Sequence, residues 1–459
     1  MTGIILVILA VVAVAYLIVK KYYATWSLLM VGLVTLTIAG LMGATLVTGK
    51  QATNLFAFDV IQVFSNLLSK RTAGLGLNIM VMGGFSVYMS RLGATRALVN
   101  VCVKPLSAIK APYLIMAVAY LLGQCLNVVL TSAVGLALLL MVTMYPLLVA
   151  AGANKKAAAA TIALTGALGL GPTGGNNLLI AQLTGKHVME VFVDYQLFMA
   201  AFMMPTIAIV HFFVMRYFDK KDIAAGRITD DDYKLEELED KSKDAKDAPS
   251  WYAILPLIPL VLLFVFSPLV YKGVKLSVVS AIITSVLIAF IIDFIRTRKP
   301  KESFAKTKGF FEGMGKVFTS TVALIVCAEV FAASLTKSGG IAALIDIAKT
   351  SGGGCFAVFT VMFVITLICT FLMGSGNASF FSFAPMIPEI AKSFGANLNW
   401  FLQPLQICSG PIRSMSPIAG CVIAIAGLSG VSPFEIVRRT APSCLLGAFV
   451  GYCLSFFLI

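Results

Sequence analysis

The chain has 459 residues, enough for about three soluble domains, but hydrophobic residues make up 59% of it and charged residues only 12%. Soluble domains carry roughly 25% charged residues, so this composition excludes a multidomain soluble protein. The formal net charge of +14 comes from Lys and Arg residues in short segments between apolar runs. That distribution is typical of membrane topology and argues against nucleic-acid binding.

Long charge-free apolar runs are the main feature of the chain. They occupy residues 22–49, 111–154, 157–185, 251–271, 350–388 and 440–459. Each is at least as long as the roughly 20 residues that cross a bilayer as a helix, so an all-α polytopic membrane protein is predicted. The nine Cys residues show no disulfide or zinc-binding pattern and are interpreted as apolar packing residues.

In the first half of the chain, spans are predicted at residues 3–19, 26–48, 73–91 and 196–216. The first is interpreted as a transmembrane helix rather than a signal peptide, because no basic segment precedes it and no cleavage site is evident. The run 111–154 would form about 66 Å of helix, twice the bilayer thickness, so we expect a re-entrant hairpin that turns near Thr131 and Ser132. Gly and Pro residues interrupt the run 157–185 from Gly169 onward, which predicts a helix broken inside the membrane.

A charged linker at residues 219–250 separates two nearly equal halves. Ser132 matches Ser375 at an offset of 243 positions, and Pro172 matches Pro417 at an offset of 245. The halves are therefore interpreted as two copies of one unit. The copies are residues 1–218 and 251–459, and the second has its hairpin at 355–394 and its broken helix at 398–430.

Each copy crosses the membrane five times by this count. Since five is odd, the second copy would be inverted relative to the first, which is typical of secondary transporters. If the even-numbered turns face the cytoplasm, 25 of the 35 Lys and Arg residues lie on that side, 9 lie opposite, and Arg413 remains within the membrane. The positive-inside rule then predicts extracytoplasmic termini and a cytoplasmic linker.

Four polar, Gly-rich interruptions fall at membrane depth, two in each copy, at residues 131–135, 171–177, 374–379 and 409–420. A helix that starts at such a break presents free N–H groups and the positive end of its dipole, which attract anions. Carbonyl oxygens at the end of the preceding half could instead hold a cation. Simple kinks are the alternative, but four breaks related by the repeat favour a binding site.

Arg413 lies inside the second broken helix, with Ser414 and Ser416 beside it. A charge at the bilayer centre is costly and normally faces a partner or a cavity, and a guanidinium can bind a carboxylate through two parallel hydrogen bonds. We therefore expect Arg413 to contact an anionic substrate; the alternative is an ion pair with Glu329. Glu329 and His211 are the other ionisable groups at or near membrane depth, and both are candidates for carrying a proton in coupled transport.

At these motifs the sequence resembles the anaerobic C4-dicarboxylate carrier family, DcuC, of the ion-transporter superfamily. The matching segments are residues 131–160, 170–182, 373–388 and 412–440. The last segment is the most specific, with Arg413, Ser416 and Pro417 in an Arg-x-x-Ser-Pro pattern. The resemblance covers nearly the whole chain, including its length and hydrophilic centre.

The resemblance implies a carrier of succinate, fumarate and malate in a bacterial inner membrane, so the extracytoplasmic termini predicted from the charge distribution would be periplasmic. It also implies a homodimer in which a transport part slides as an elevator against a scaffold. The substrate-binding residues that it implies are Thr131, Ser132, Thr173, Gly174, Gly175, Asn176, Asn177, Ser375, Gly376, Asn377, Arg413, Ser414 and Ser416. Two departures stand out: Asn176 replaces an expected acidic residue, and Glu329 replaces an expected uncharged one.

The predicted function is secondary transport, by exchange or by symport with Na⁺ or H⁺. No cofactor, metal site or nucleic-acid partner is expected, and the partners are a small dicarboxylate and membrane lipid. A carrier of a tricarboxylate or an acyl amino acid would share this architecture. An intramembrane enzyme would need a nucleophile with its base or a metal-ligand motif, and with His187 and His211 the only histidines no such set is visible. A channel fits less well, because mirrored broken helices suit alternating access to one site.

Overall fold

The computed structural model describes residues 2–20, 22–48, 51–233, 248–271, 273–339 and 354–458. Within these ranges the secondary structure is helical and includes no strand. Eight of the described helices are long and apolar enough to cross a bilayer, which confirms the predicted all-α polytopic membrane protein. Their bounds are Ala24–Leu41, Phe56–Arg91, Pro112–Val129, Val188–Ala224, Val278–Thr297, Pro300–Lys337, Gly354–Met373 and Pro433–Leu458.

In the first half of the chain, glycines and polar turns divide these spans into shorter helices. The helices are Thr2–Val19, Ala24–Leu41, Phe56–Arg71, Leu77–Arg91, Ala94–Val103, Pro112–Val129, Ala133–Thr143, Tyr145–Ala150, Lys155–Leu164, Gly175–Thr184 and Leu197–Ala224. A π-helical turn, Thr72–Gly76, joins the third helix to the fourth. The polar stretch before the predicted span 73–91 is thus itself helical from Phe56 onward.

The described part of the second half begins at residue 248. A 3₁₀ helix, Ser250–Leu257, runs into the helix Ile258–Val265. The remaining helices are Val278–Thr297, Pro300–Val317, Ala323–Lys337, Gly354–Met373, Gly376–Phe383, Ile387–Phe394, Leu398–Ser414, Gly420–Ser429 and Pro433–Leu458. A π-helical turn, Phe318–Val322, again joins two of them.

The starts of equivalent elements recur at nearly constant spacing. The π turns start at Thr72 and Phe318, 246 positions apart, short helices start at Ala133 and Gly376, 243 apart, and two more start at Gly175 and Gly420, 245 apart. Because the spacing drifts by only three positions, these three elements follow one another in the same succession in both halves. The polar interruptions therefore occur at equivalent places in both halves.

The last helix of the first half is longer than predicted. It runs over Leu197–Ala224, whereas the sequence pattern ends the span at 216 and places Asp219 in a solvated linker. Asp219 is 4% exposed and Asp222 is fully buried, because both pair with Arg439 of the helix Pro433–Leu458. Residues 234–247 of the predicted linker lie outside the described residues.

Glycines allow helices from the two halves to pack backbone against backbone. A Cβ built on Gly313 would lie 2.7 Å from the carbonyl oxygen of Gly83, and one built on Gly32 would lie 3.0 Å from the backbone nitrogen of Phe331. Small residues at such contacts are typical of helix pairs in membranes, where close approach supplies van der Waals contact. Since each pair joins a helix of one half to a helix of the other, the halves interlock.

Candidate functional site

Hairpin 1 consists of the helices Pro112–Val129 and Ala133–Thr143 and the turn between them. Ser132 caps the second helix, because its hydroxyl accepts a hydrogen bond from the backbone nitrogen of Gly135 at 3.2 Å. A Cβ built on Gly152 would lie 3.9 Å from Cβ of Pro112, so the chain returns beside its starting point. The tip of hairpin 1 is therefore the polar turn at residues 130–132.

Hairpin 2 consists of the helices Gly354–Met373 and Gly376–Phe383. Ser375, 243 positions after Ser132, makes the same cap by accepting a hydrogen bond from the backbone nitrogen of Ala378 at 3.2 Å. Gly374 has a positive φ of 65°, and a Cβ there would lie 2.9 Å from Cα of Ala419. The tip of hairpin 2 thus requires a glycine for its turn and for its close approach to the 415–419 segment.

Broken helix 1 consists of the helices Lys155–Leu164 and Gly175–Thr184. Its interruption packs against hairpin 1, since a Cβ on Gly171 would lie 2.7 Å from the carbonyl oxygen of Val128. The buried amide of Gln196 accepts hydrogen bonds from the Gly171 nitrogen at 3.1 Å and from Asn177 Nδ2 at 2.6 Å. It also donates to the carbonyl oxygen of Gly169 at 3.1 Å. One side chain thereby replaces several backbone hydrogen bonds that the break removes.

Broken helix 2 consists of the helices Leu398–Ser414 and Gly420–Ser429. It crosses broken helix 1 at close range, because a Cβ built on Gly410 would lie only 1.7 Å from the carbonyl oxygen of Ala167. Hydroxyl groups donate hydrogen bonds to backbone carbonyls around this break. Ser416 donates to the Phe371 oxygen at 2.7 Å, and Thr440 donates to the Ser414 oxygen at 3.1 Å.

The four interruptions surround one cavity of about 450 Å³, a volume that suits a small-molecule ligand. The predicted site residues that line it are Thr131, Ser132, Gly174, Gly175, Asn176, Ser375, Gly376, Asn377 and Arg413. Ser132 and Asn377 are exposed whereas Asn176 and Gly166, another wall residue, are buried. The cavity therefore runs from the surface into the interior.

Four helix N-termini meet at the wall of this cavity, at Ala133, Gly175, Gly376 and Gly420. Serines cap the first and third. The residues that precede the other two, Gly174 and Ala419, make no side-chain cap. Free backbone N–H groups at an uncapped N-terminus, together with the helix dipole, form a site for an anionic oxygen. The helices that start at Gly175 and Gly420 therefore supply two such donor groups.

Arg413 is the charged side chain among the described residues that line the cavity. Its Nη2 donates to the carbonyl oxygen of Gly166 at 2.5 Å, and its buried Nε has no partner in the described part of the chain. The alternative ion pair with Glu329 is wrong, because Glu329 pairs with Arg71 instead, at 2.5 Å. One part of the guanidinium is thus held by a carbonyl, and its buried Nε remains without a partner among the described residues.

Two of the amides in the cavity wall join broken helix 1 to hairpin 2. Asn176 Nδ2 donates to Asn377 Oδ1 at 3.1 Å, while Asn176 Oδ1 is buried without a partner among the described residues. Asn176, which stands where the family resemblance suggests an acid, is therefore part of the link between two structural elements.

Four predicted site residues lie behind the wall rather than on it. Asn177 hydrogen bonds to Gln196 and to the Gly171 carbonyl, and Ser416 donates to the Phe371 carbonyl. Thr173 and Ser414 are buried, and their hydroxyl oxygens have no partner in the described ranges. Asn177 and Ser416 therefore support the interruptions from within the protein.

The two candidates for proton coupling lie away from the cavity wall. Glu329 is 4% exposed in its pair with Arg71. His211 is fully buried, and its Nε2 lies 2.9 Å from Thr161 Oγ1 of broken helix 1. The structure therefore places both in packing contacts between helices.

Several wall residues are absent from the predicted set. They include Asn127, Gly166, Gly169, Leu170, Ile418 and Cys421. Gly166 and Gly169 contribute through their backbone, which no side-chain pattern identifies. The sequence does indicate a role for Asn127 and Gln196, because an amide inside an apolar helix must find a hydrogen-bond partner.

Comparison with known proteins places these features in one family. A family model described as C4-dicarboxylate anaerobic carrier, DcuC, matches residues 2–459. The chain is 35% identical over 441 residues to the anaerobic C4-dicarboxylate transporter DcuC of Escherichia coli K12, covering 96% of this chain and 93% of that protein. It is 33% identical over 437 residues to the Vibrio cholerae protein named probable anaerobic C4-dicarboxylate transporter DcuC, covering 95% and 93%.

A shorter match joins the chain to a third protein. It is 31% identical over 224 residues to an uncharacterised transporter of Haemophilus influenzae, covering 47% of this chain and 75% of that protein. The two longer matches span nearly the whole chain and therefore include both hairpins and both broken helices.

Proposed function

The chain belongs to the family of C4-dicarboxylate anaerobic carriers, and from that premise we propose that it transports C4-dicarboxylates such as succinate, fumarate and malate across a bacterial inner membrane. It acts as a secondary transporter, by exchange or by cation-coupled symport. The names of its relatives in Escherichia coli and Vibrio cholerae support the substrate class.

The single observation that carries the proposal is the chemistry of the cavity. Among the described residues that line it, Arg413 is the charged one and no carboxylate is present. Two uncapped helix N-termini, at Gly175 and Gly420, face the same space. We assign one substrate carboxylate to the free edge of Arg413, in a charge-assisted hydrogen bond, and the other to the N–H groups of a helix N-terminus.

The shared succession of elements supports a two-copy architecture for transport. We propose that the copies are inverted, so that hairpins and broken helices form a transport part that moves as an elevator past the interlocked helices. In this arrangement the termini are periplasmic, the linker is cytoplasmic, and two chains form a homodimer. Equivalent interruptions in both halves suit a site that opens alternately to each side.

The experiment that tests the proposal is substrate competition in proteoliposomes. Succinate, fumarate and malate should each reduce uptake of labelled succinate, and citrate and acyl amino acids should do so weakly or not at all. Arg413→Ala should abolish uptake, whereas Arg216→Ala, which removes an exposed guanidinium, should leave it unchanged. Strong competition by citrate or an acyl amino acid, with none by fumarate, would reassign the substrate class.

A further inference from the structure

Two residues other than glycine have a positive φ in the described ranges, and they occupy equivalent turns. Asn54 has a φ of 60° and Arg298 has a φ of 52°. Each stands two positions before a helix, Phe56–Arg71 in the first half and Pro300–Val317 in the second. Asparagine adopts left-handed backbone more readily than arginine does. The second turn therefore keeps an arginine where its backbone is unfavourable, which points to a use for its side chain.

The two turns also differ in charge. Residues 296–308 contain six Lys and Arg residues and one acidic residue, whereas residues 52–64, which lie 244 positions earlier, contain no Lys or Arg and one Asp. The dipole of the preceding helix stabilises a cation at its C-terminal end, but one cation is enough for that effect. The positive-inside rule favours cations in a loop without requiring one on left-handed backbone. Neither effect accounts for Arg298.

Three of the six cations form ion pairs with acidic residues of the two helices that the turn joins. The pairs are Lys299 with Glu302 at 2.8 Å, Lys306 with Asp293 at 3.0 Å and Lys308 with Glu312 at 3.7 Å. A fourth cation, Arg296, lies over the ring of Tyr252, 4.9 Å from its centre. Arg298 and Lys301 are exposed and form no ion pair with a described residue. Two positive charges of the turn are thus available to a ligand.

The turn lies at the depth of the lipid headgroups. The helix before it, Val278–Thr297, has 20 residues, and a helix of that length, about 30 Å, just crosses the hydrocarbon core. Three apolar residues of this helix, Leu287, Ile291 and Phe294, are exposed. Their spacing of four and three positions places them on one face, and the next step of four reaches Arg298. An apolar stripe therefore leads along the span to the basic turn.

The helix after the turn carries exposed aromatic rings. Phe304 and Phe311 are 62% and 69% exposed, and their spacing of seven positions places them on one face. The ring centre of Phe304 lies 5.1 Å from that of Phe290 in the preceding helix. Apolar side chains of both helices therefore adjoin the cationic turn. Such a surface fits an amphipathic anion better than a soluble polyanion.

We propose that this turn binds the headgroup of an anionic phospholipid, with Arg298 and Lys301 on its phosphate and its acyl chains along the apolar stripe. A guanidinium binds phosphate oxygens through two parallel hydrogen bonds, and clusters of Lys and Arg next to a membrane helix attract anionic lipids. The bilayer supplies such a ligand at the depth of the turn. The site is separate from the substrate cavity, because neither Arg298 nor Lys301 lines that cavity.

Tryptophan fluorescence tests the site directly, because Trp251 lies near it. The ring centre of Trp251 is 4.5 Å from that of Tyr252, the ring that Arg296 covers. The test uses a protein with Trp26→Phe and Trp400→Phe, in which Trp251 is the remaining tryptophan. In phosphatidylcholine vesicles, brominated phosphatidylglycerol should quench its fluorescence more strongly than brominated phosphatidylcholine does at the same mole fraction. Equal quenching by the two lipids would overturn the proposal.

Arg298→Asn gives the turn the residue that the first half has at the equivalent position. The preference for phosphatidylglycerol should fall about fivefold, the contribution of one Lys or Arg near an anionic surface. The midpoint of thermal unfolding in neutral detergent should stay close to that of the unmodified protein, because asparagine accepts left-handed backbone. An unchanged lipid preference in the folded variant would overturn the assignment of Arg298.

A matched pair of double variants separates a site from net charge. Arg298→Asn with Lys301→Gln should abolish the preference for phosphatidylglycerol. Lys104→Gln with Lys220→Gln removes the same amount of charge from exposed positions elsewhere and should keep the preference. Equal losses in the two double variants would overturn the proposal, because net charge would then explain the binding.

Two further measurements use the protein without these charge substitutions. Glycerol 3-phosphate, a soluble phosphate ester, should not displace the brominated lipid, and displacement would assign the turn to a free anion instead. NaCl at 1 M, where charges are screened within about 3 Å, should remove most of the preference for phosphatidylglycerol. A preference that persists at this salt concentration would overturn the role of the charges, even if the double variant at the turn does not fold.

Discussion

Asn176 donates a hydrogen bond of 3.1 Å to Asn377, and this pair connects broken helix 1 to the tip of hairpin 2. The equivalent positions in the other half, 245 and 243 positions away, are Cys421 and Val134. Both also line the cavity. One side of the cavity therefore carries an amide pair where the other carries a thiol and an aliphatic side chain, so the cavity wall is chemically asymmetric.

This asymmetry predicts a specific pattern of mutant stabilities. Asn377→Val leaves the Asn176 amide without its partner and should lower stability by about 1–3 kcal/mol, the cost of an unsatisfied buried polar group. The double variant Asn176→Cys with Asn377→Val reproduces the pair of the other half. It should recover much of that loss, because both hydrogen-bonding groups are then absent. Thermal unfolding of the purified variants in detergent measures the difference.

The same variants separate stability from binding. If the amides also face the substrate, the double variant should bind succinate more weakly than the unmodified protein even where its thermal stability is restored. Equal succinate affinity in the two proteins would limit the amide pair to a structural role. Additive losses in the double variant would contradict the pairing itself.

The ion pair of Glu329 and Arg71 gives a prediction about coupling. Their side chains are 4% and 15% exposed, and they lie 2.5 Å apart. Glu329→Gln leaves a largely buried guanidinium without its counter-charge, so stability should fall by about 3–5 kcal/mol. Succinate affinity should be retained, because neither residue lines the cavity. Thermal unfolding and equilibrium binding measure the two effects.

A matched control for this prediction replaces both partners. Arg71→Met with Glu329→Leu removes the pair without leaving either charge alone, and it should be more stable than Glu329→Gln. Normal stability of Glu329→Gln combined with loss of transport driven by a proton gradient would instead assign Glu329 to proton coupling.

The buried guanidinium of Arg439 gives a prediction about the last helices of the two halves. It is fully buried and lies 2.6 Å from Asp219 and 2.7 Å from Asp222. Arg439→Met would remove the positive charge that pairs with both buried carboxylates, so the free energy of unfolding should fall by about 3–5 kcal/mol. Arg438→Met is the control, because Arg438 also pairs with Asp222 but is 28% exposed. It should cost less, and equal midpoints of thermal unfolding for the two variants would contradict the importance of burial.

The interruptions of the helices were predictable because their signal is local. Gly, Pro and hydroxyl residues such as Thr131, Ser132 and Gly374 stand out within apolar runs, and breaks in membrane helices need such residues. Arg413 was predictable for the same reason, as a charge at membrane depth. Its contact with Gly166 was not, because that partner is a backbone carbonyl 247 positions away.

Partners of the remaining charges depend on tertiary packing. The sequence pattern leaves Asp219 and Asp222 among lysines and predicts a solvated linker, but the helix continues and turns both toward Arg439. Likewise, the sequence alone leaves several possible ion-pair partners for Glu329. Glu329 pairs with Arg71 because the helix Ala323–Lys337 packs against the helix Phe56–Arg71. Which charged residues pair depends on how the helices cross, and the local sequence pattern does not determine those crossings.

The turn of hairpin 2 gives the last prediction, through two glycines with opposite environments. Gly374 has a φ of +65°, and a Cβ there would lie 2.9 Å from backbone atoms of Ala419. Left-handed backbone costs a residue with a side chain roughly 1–2 kcal/mol, and the contact with the 415–419 segment adds to that cost. Gly374→Ala should therefore lower stability by more than about 2 kcal/mol and, by displacing Ser375 and Asn377, weaken succinate binding.

Gly427→Ala is the matched control. Gly427 lies in the helix Gly420–Ser429 with a helical φ, and a Cβ there would meet no atom within 4 Å. Alanine is a better helix former than glycine, so this variant should gain about 0.5–1 kcal/mol and bind succinate normally. Midpoints of thermal unfolding that fall equally for the two variants would show that the cavity does not depend on the geometry at Gly374. A selective loss at Gly374 would show that the tip of hairpin 2 holds the site in its binding shape.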